Sequence, residues 1–201
     1  MTNIKLHLGD IEVSTDDILE EITSSYPDED SDVLKARLAQ DGYLCMRGLI
    51  PRDAIMGARK VLYDGMLELD DDSTFDYPKG KGGHYMGNKE FTHQPAFLEA
   101  VENASCYDFF EELFDEEAVS FDYKWARSVP EKAAGTQAHM DVVYMGRGSQ
   151  RLHTMWTPLG DIERENGPMV VLDKSHNHPA FEKIRQTYGK MDVDHDKVAG
   201  G

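Results

Sequence analysis

The chain has 201 residues, 40% of them hydrophobic, which is enough to bury a sizeable core in one domain of ordinary size. Its 38 acidic residues against 21 basic ones leave a net charge of -17, which excludes a duplex nucleic-acid binder, because such proteins need a Lys/Arg footprint on phosphate. Two cysteines exclude a disulfide framework; with no basic-then-apolar leader and no apolar run longer than a strand, a cytoplasmic protein with no membrane partner is expected.

Ile4 to Val13 alternates weakly and predicts a short edge strand, and Ser14-Thr15-Asp16-Asp17 offers a helix start ahead of Ile18, Leu19 and Ile22. The acidic run Asp28-Glu29-Asp30 lacks the ligand spacing of a calcium loop and reads as a solvated face, as do Asp70-Asp71-Asp72 and Glu116-Glu117. Ser31 is the expected N-cap of the next helix, with Leu34 and Leu38 at helical spacing and Gly42 as its C-cap. Tyr43 to Ile50 reads as a strand. Pro51-Arg52-Asp53 then opens a helix whose Ile55, Val61, Leu62 and Met66 suit packing against that strand.

Residues 70 to 89 combine the acidic run with the glycine-rich stretch Pro78 to His84, which is either a mobile lid or an ordinary connection. Two short helices are predicted next, Pro95 to Glu102 and Ser105 to Phe114, the second turning Tyr107, Phe110 and Leu113 inward. From Ala118 to Ser128 the period becomes two. Val119, Phe121, Tyr123, Trp125 and Arg127 alternate with Ser120, Asp122, Lys124 and Ala126, so strands take over from helices. Within one domain, 1–201, this divides a helix-rich front (1–116) from a strand-built part (117–178) and a helix with an acidic tail (179–201).

His139-Met140-Asp141 carries the chemistry. On a strand, side chains two apart share a face, so one imidazole and one carboxylate can grip one metal ion. A 2-His-1-carboxylate set leaves open positions on Fe(II), as an oxygenase requires. With 8 His and 22 Asp, chance alone gives roughly one His-x-Asp in a chain of this length, and one is present. The weight therefore falls on context: Trp156-Thr-Pro-Leu-Gly-Asp161-Ile, then Glu165-Asn-Gly-Pro-Met-Val-Val-Leu-Asp-Lys-Ser-His176, a strand, an acidic turn, an Asn-Gly turn and a strand.

Together with Asp41-Gly-Tyr-Leu-Cys-Met-Arg-Gly-Leu-Ile-Pro51, these segments resemble the phytanoyl-CoA dioxygenase-like family of Fe(II)/2-oxoglutarate-dependent oxygenases, from about residue 40 to 178. The resemblance implies an α+β fold with a mainly β core, a double-stranded β-helix (a cupin-like jelly roll) with N-terminal helices packed on one sheet. It implies Fe(II) as cofactor, 2-oxoglutarate as cosubstrate, O2 and a small organic substrate, with His139 and Asp141 as the catalytic metal ligands. Trp156 matches a position that lines the cosubstrate pocket; a packed core tryptophan is the plain alternative. Arg127 is preferred to Lys124, which lies on the opposite face, because a guanidinium fork meets a carboxylate bidentately. Tyr144 is a candidate substrate-facing side chain or a packed strand tyrosine.

In the family the distal His and an Arg lie on later strands, expected beyond residue 201. The chain is thus read as an incomplete, inactive piece whose open sheet edges invite self-association. His195 is a weak third ligand, and His176 and His178 read as structural hydrogen-bonding groups. Two other readings stand beside the oxygenase: a non-catalytic jelly-roll binding or scaffold protein, and a cupin-like zinc or manganese enzyme using His139, Asp141 and His176 or His178.

Overall fold

A computed structural model describes residues 5–8, 11–14, 20–68, 84–86, 89–128, 139–141, 151–163 and 166–186, with backbone alone at 5–8, 11–14, 65–68, 84–86 and 128. Of the stretch 70–89, expected as a lid or a connection, residues 70–83, 87 and 88 lie outside these residues, as do Tyr144 and His195.

The first expected strand is a hairpin. β1 (Lys5–Leu8) pairs antiparallel with β2 (Ile11–Ser14), with Leu8 opposite Ile11. The signal for it is the intervening dipeptide Gly9-Asp10, a pair favoured in two-residue hairpins. Ser14 therefore ends a strand, and residues 20–23 carry no helix; the rest of the helix expected there lies outside the described residues.

β3 (Ser24–Ser25) leads into α1 (Ser31–Asp41). The cap of α1 is Asp30, one residue before the expected Ser31: its carboxylate accepts from the Asp32 N–H at 2.8 Å, and Ser31 becomes the first helical residue. Gly42 ends the helix as expected, at φ +83°, with its N–H donating to the Leu38 carbonyl at 2.9 Å. The strand expected over Tyr43 to Ile50 contracts to β4 (Cys45–Met46), parallel to β3. Side chains hold this short ladder. Arg37 reaches from α1 to the fully buried Ser25 hydroxyl (2.5 Å) and to both Glu29 carboxylate oxygens (3.1 and 2.7 Å). That guanidinium, with the Tyr26 N–H, keeps the Glu29 carboxyl below the usual carboxylate range.

α2 (Arg52–Glu68) packs against α4 (Pro95–Val101) rather than against β4. The buried cluster is Ala54 and Ala58 from α2, Phe97 and Ala100 from α4, and Ala126; Ile55, Val61, Leu62 and Leu159 close around it. Ala58 and Ala100 are fully buried, and their small side chains let the two helices approach closely. Between them in sequence lie β5 (His84–Met86) and the single turn α3 (Lys89–Thr92). α5 (Ala104–Phe114) is capped by Asn103, and Ser105 Oγ ties its start to the Leu49 carbonyl at 2.7 Å. Leu113 is buried and Phe110 and Tyr107 are half-buried, as their spacing predicts, with Cys106 buried beside them.

The period-two stretch forms a paired strand only at its end, β6 (Ala126–Ser128), antiparallel to β5 with Arg127 opposite Tyr85. Its two faces are sharply sorted. Ser120, Asp122 and Lys124 are bonded to the helices, whereas Val119, Phe121, Tyr123 and Trp125 are each more than half exposed. Polar side chains thus face the helical layer and the apolar stripe faces away from it. Beyond residue 150 the chain runs without paired strands among the described residues, into 3-10 turns at Ser175–Asn177 and Pro179–Phe181 and the single-turn α6 (Glu182–Arg185). No helix among the described residues is long and apolar enough to cross a membrane.

Candidate functional site

His139 and Asp141 are brought together, although residues 139–141 form no strand and Asp141 stands in a turn. His139 Nε2 lies 3.1 Å from Asp141 Oδ1, and the side chains keep 42% and 35% of their exposure, so the pair remains open to a ligand. Two donors bound to one ion at right angles, with bonds of about 2.1 Å as imidazole and carboxylate make to zinc, stand about 3 Å apart. The observed separation is therefore that of two adjacent ligands of one cation. The donor set, one imidazole nitrogen and one carboxylate oxygen, fits two of three ligands of a facial triad. Among the described residues, no group of three His, Cys, Asp or Glu side chains is placed to hold a metal ion.

The other sequence candidates stand on separate elements. Arg127 lies in β6, half-buried. Lys124, on the other face, pairs with Glu102 at the end of α4 at 2.7 Å, and with Ser120 it holds that carboxyl below its usual range. Trp156 is 47% exposed, in a run anchored on both sides. Upstream, His153 packs on the Phe114 ring at 4.7 Å between centroids, and Arg151 donates to the Phe114 carbonyl at the end of α5. Downstream, Leu159 enters the core and Gly160 sits under the Arg59 guanidinium of α2, where a Cβ would come within 2.4 Å of Nη1. Asn166 N–H donates to the Glu163 carbonyl at 2.9 Å, closing the stretch 163–166 ahead of the expected Asn-Gly turn, and Gly167 adopts φ +71°.

His176 and His178 have other partners. His176 Nε2 donates to the Ala39 carbonyl at 3.0 Å, and His178 Nδ1 accepts from the Ala180 N–H at 3.2 Å. Both are the structural hydrogen-bonding groups the sequence reading favoured.

Sequence reasoning missed a polar cluster on α3. His93 donates from Nε2 to Asp122 Oδ1 at 2.9 Å, its Nδ1 meets the buried Thr92 hydroxyl at 3.0 Å, and Lys89 pairs with the other Asp122 oxygen. The Lys89 ammonium, and then His93, hold the Asp122 carboxyl at about 2 against an ordinary 3.8. A depressed folded value means that the contribution to stability is complete above the ordinary value and is lost as pH falls through the folded one. A carbon-detected NMR titration is expected to give an Asp122 midpoint near 2; a midpoint at 3.8 would mean that the clasp of α3 on this segment does not form in solution.

The comparisons with known proteins are consistent with the motif order. The family model for phytanoyl-CoA dioxygenase (PhyH) matches residues 38–198. No curated protein and no solved structure gives a significant match.

Proposed function

Because the chain belongs to the phytanoyl-CoA dioxygenase family, as the match over most of its length shows, we propose that it carries the iron half-site of an Fe(II)- and 2-oxoglutarate-dependent dioxygenase that hydroxylates a small organic substrate. The observation that carries the reading is the 3.1 Å approach of His139 Nε2 and Asp141 Oδ1 within the matched segment.

In this reading His139 and Asp141 hold Fe(II), His139 as the neutral imidazole that ligation requires. Bound iron with 2-oxoglutarate supplies the oxidising chemistry with O2; the chain supplies ligands, orientation and exclusion of water. Arg127 is assigned to the cosubstrate carboxylate, because its planar fork matches a carboxylate in two parallel hydrogen bonds. Trp156 is assigned to the wall of the same pocket, held on the helical layer by the His153 and Leu159 contacts on either side. A double-stranded β-helix remains the architecture we propose for the β part. What supports it is the 119–125 stretch, whose apolar side faces away from the helices, as the inner face of a barrel sheet does. Open sheet edges would make self-association the expected partner interaction.

The test is an anaerobic titration of the chain with Fe(II) and 2-oxoglutarate. The weak visible charge-transfer band of a metal-chelated keto acid is expected, and H139A is expected to abolish it. No band in the unaltered chain, or an undiminished band in H139A, sinks the proposal. The zinc or manganese alternative needs His176 or His178 as third ligand, and among the described residues neither joins His139 and Asp141 in a group placed to hold a metal ion.

A further inference from the structure

The run from Asn166 to His178 follows the half-site segment, yet apolar packing does little to hold it: Met169, Val170 and Leu172 are exposed. Among the described residues, its hydrogen bonds to the helical layer fall on the last turn of α1. Lys174 N–H donates to the Asp41 carbonyl at 3.3 Å, and the Asn177 amide donates to the Ala39 carbonyl at 3.4 Å. His176 Nε2 donates to that same carbonyl at 3.0 Å, and the Asn177 amide nitrogen lies 2.8 Å from Nε2, so ring and amide share one acceptor.

The tautomer follows from the other ring nitrogen. His176 Nδ1 is buried without a partner. With the proton on Nε2, Nδ1 is an unfilled acceptor; with the proton on Nδ1, a buried N–H would have no acceptor and the Ala39 carbonyl would keep only the longer bond from the Asn177 amide. The ring lies flat over Gly42, where a Cβ would come within 2.3 Å of Nδ1. A helix C-terminus leaves its last carbonyls without intrahelical donors. Here a side chain from a segment more than a hundred residues later supplies one of them.

We propose that His176 is the pin of a clasp: a positioning residue that closes the C-terminal end of α1 and fixes the 166–178 run to it, so that the run is released by local opening while the α2–α4 core stays folded. Segments with few buried apolar contacts are those that open below the global unfolding free energy. The separation of the clasp from the core cluster makes the two events independent, since no residue of 166–178 belongs to that cluster. The clasp does not depend on the oxygenase reading, and a failed iron titration would leave it unaffected.

Native-state hydrogen exchange on the full chain tests it. In H176A the Lys174 and Gly42 amides are expected to exchange about tenfold faster, the order set by one lost hydrogen bond, while the Glu102 amide at the end of α4 keeps its rate. H176Q, whose amide can take the place of Nε2–H, is expected to restore slow exchange; H176N, one methylene shorter, is expected to behave as H176A. Unchanged rates in H176A, a parallel rise at Glu102, a chain that no longer folds, or H176Q behaving as H176A would each overturn the clasp.

Discussion

Phe97→Ala is expected to lower the unfolding free energy by about 3–5 kcal/mol, the range for removing a buried aromatic ring. Phe97 is 3% exposed and its buried neighbours are Ala54, Ala58, Ala100 and Ala126. The cost of such a change depends on how far the surroundings collapse into the space. The buried alanines have no rotamers with which to refill it, and refilling is left to the partly buried Ile55, Leu62 and Leu159 around them. Small domains have about 5–15 kcal/mol in total, so the variant should unfold at a much lower urea midpoint. Phe97→Leu, which retains most of the volume, should lie between it and the unaltered chain. A midpoint shift worth less than about 1 kcal/mol for Phe97→Ala would remove the ring from the core.

Gly42→Ala is expected to cost about 2–5 kcal/mol, from two separable sources: about 1–2 for an L-residue held in the left-handed region and about 1–3 for displacing the His176 ring. Gly48 provides the control. It also has positive φ, +72°, but nothing lies within 4 Å of the position its Cβ would take. Gly48→Ala should therefore show the backbone part alone. In a His176→Ala background the steric part disappears, and Gly42→Ala should fall to the cost of Gly48→Ala. Equal costs for the two glycines in the unaltered chain would mean that the ring does not press on Gly42.

The sequence reading located the helices well where spacing and caps agreed. The Pro51-Arg52-Asp53 start and the Gly42 stop rest on backbone chemistry that is local by nature, and both stand in the structure. It placed the α1 cap one residue late because Asp30 and Ser31 are both good capping side chains, and the choice depends on which one meets the N–H two residues on. It overestimated the strands at 43–50 and 118–128, because an alternating pattern records two unlike faces without recording a hydrogen-bonded neighbour. Of the candidate site, the pairing of His139 with Asp141 was legible, but not its backbone: residues 139–141 form no strand, and the two side chains meet across a turn at Asp141. Lys124, read as facing away from Arg127, goes to Glu102, a partner no local pattern could name.

By itself, then, the sequence determined the α2 start, the α1 stop, the His-x-Asp pair and the family, since each is carried by residues adjacent in the chain or by the order of motifs. The tertiary structure alone decided which side of the 119–125 stripe meets the helices: a period of two fixes that the faces differ, and ion pairs to Glu102, Lys89 and His93 fix which one is turned inward. It alone also joined His176 to Gly42. A glycine that only its φ seemed to require is in addition the space into which a distant imidazole fits.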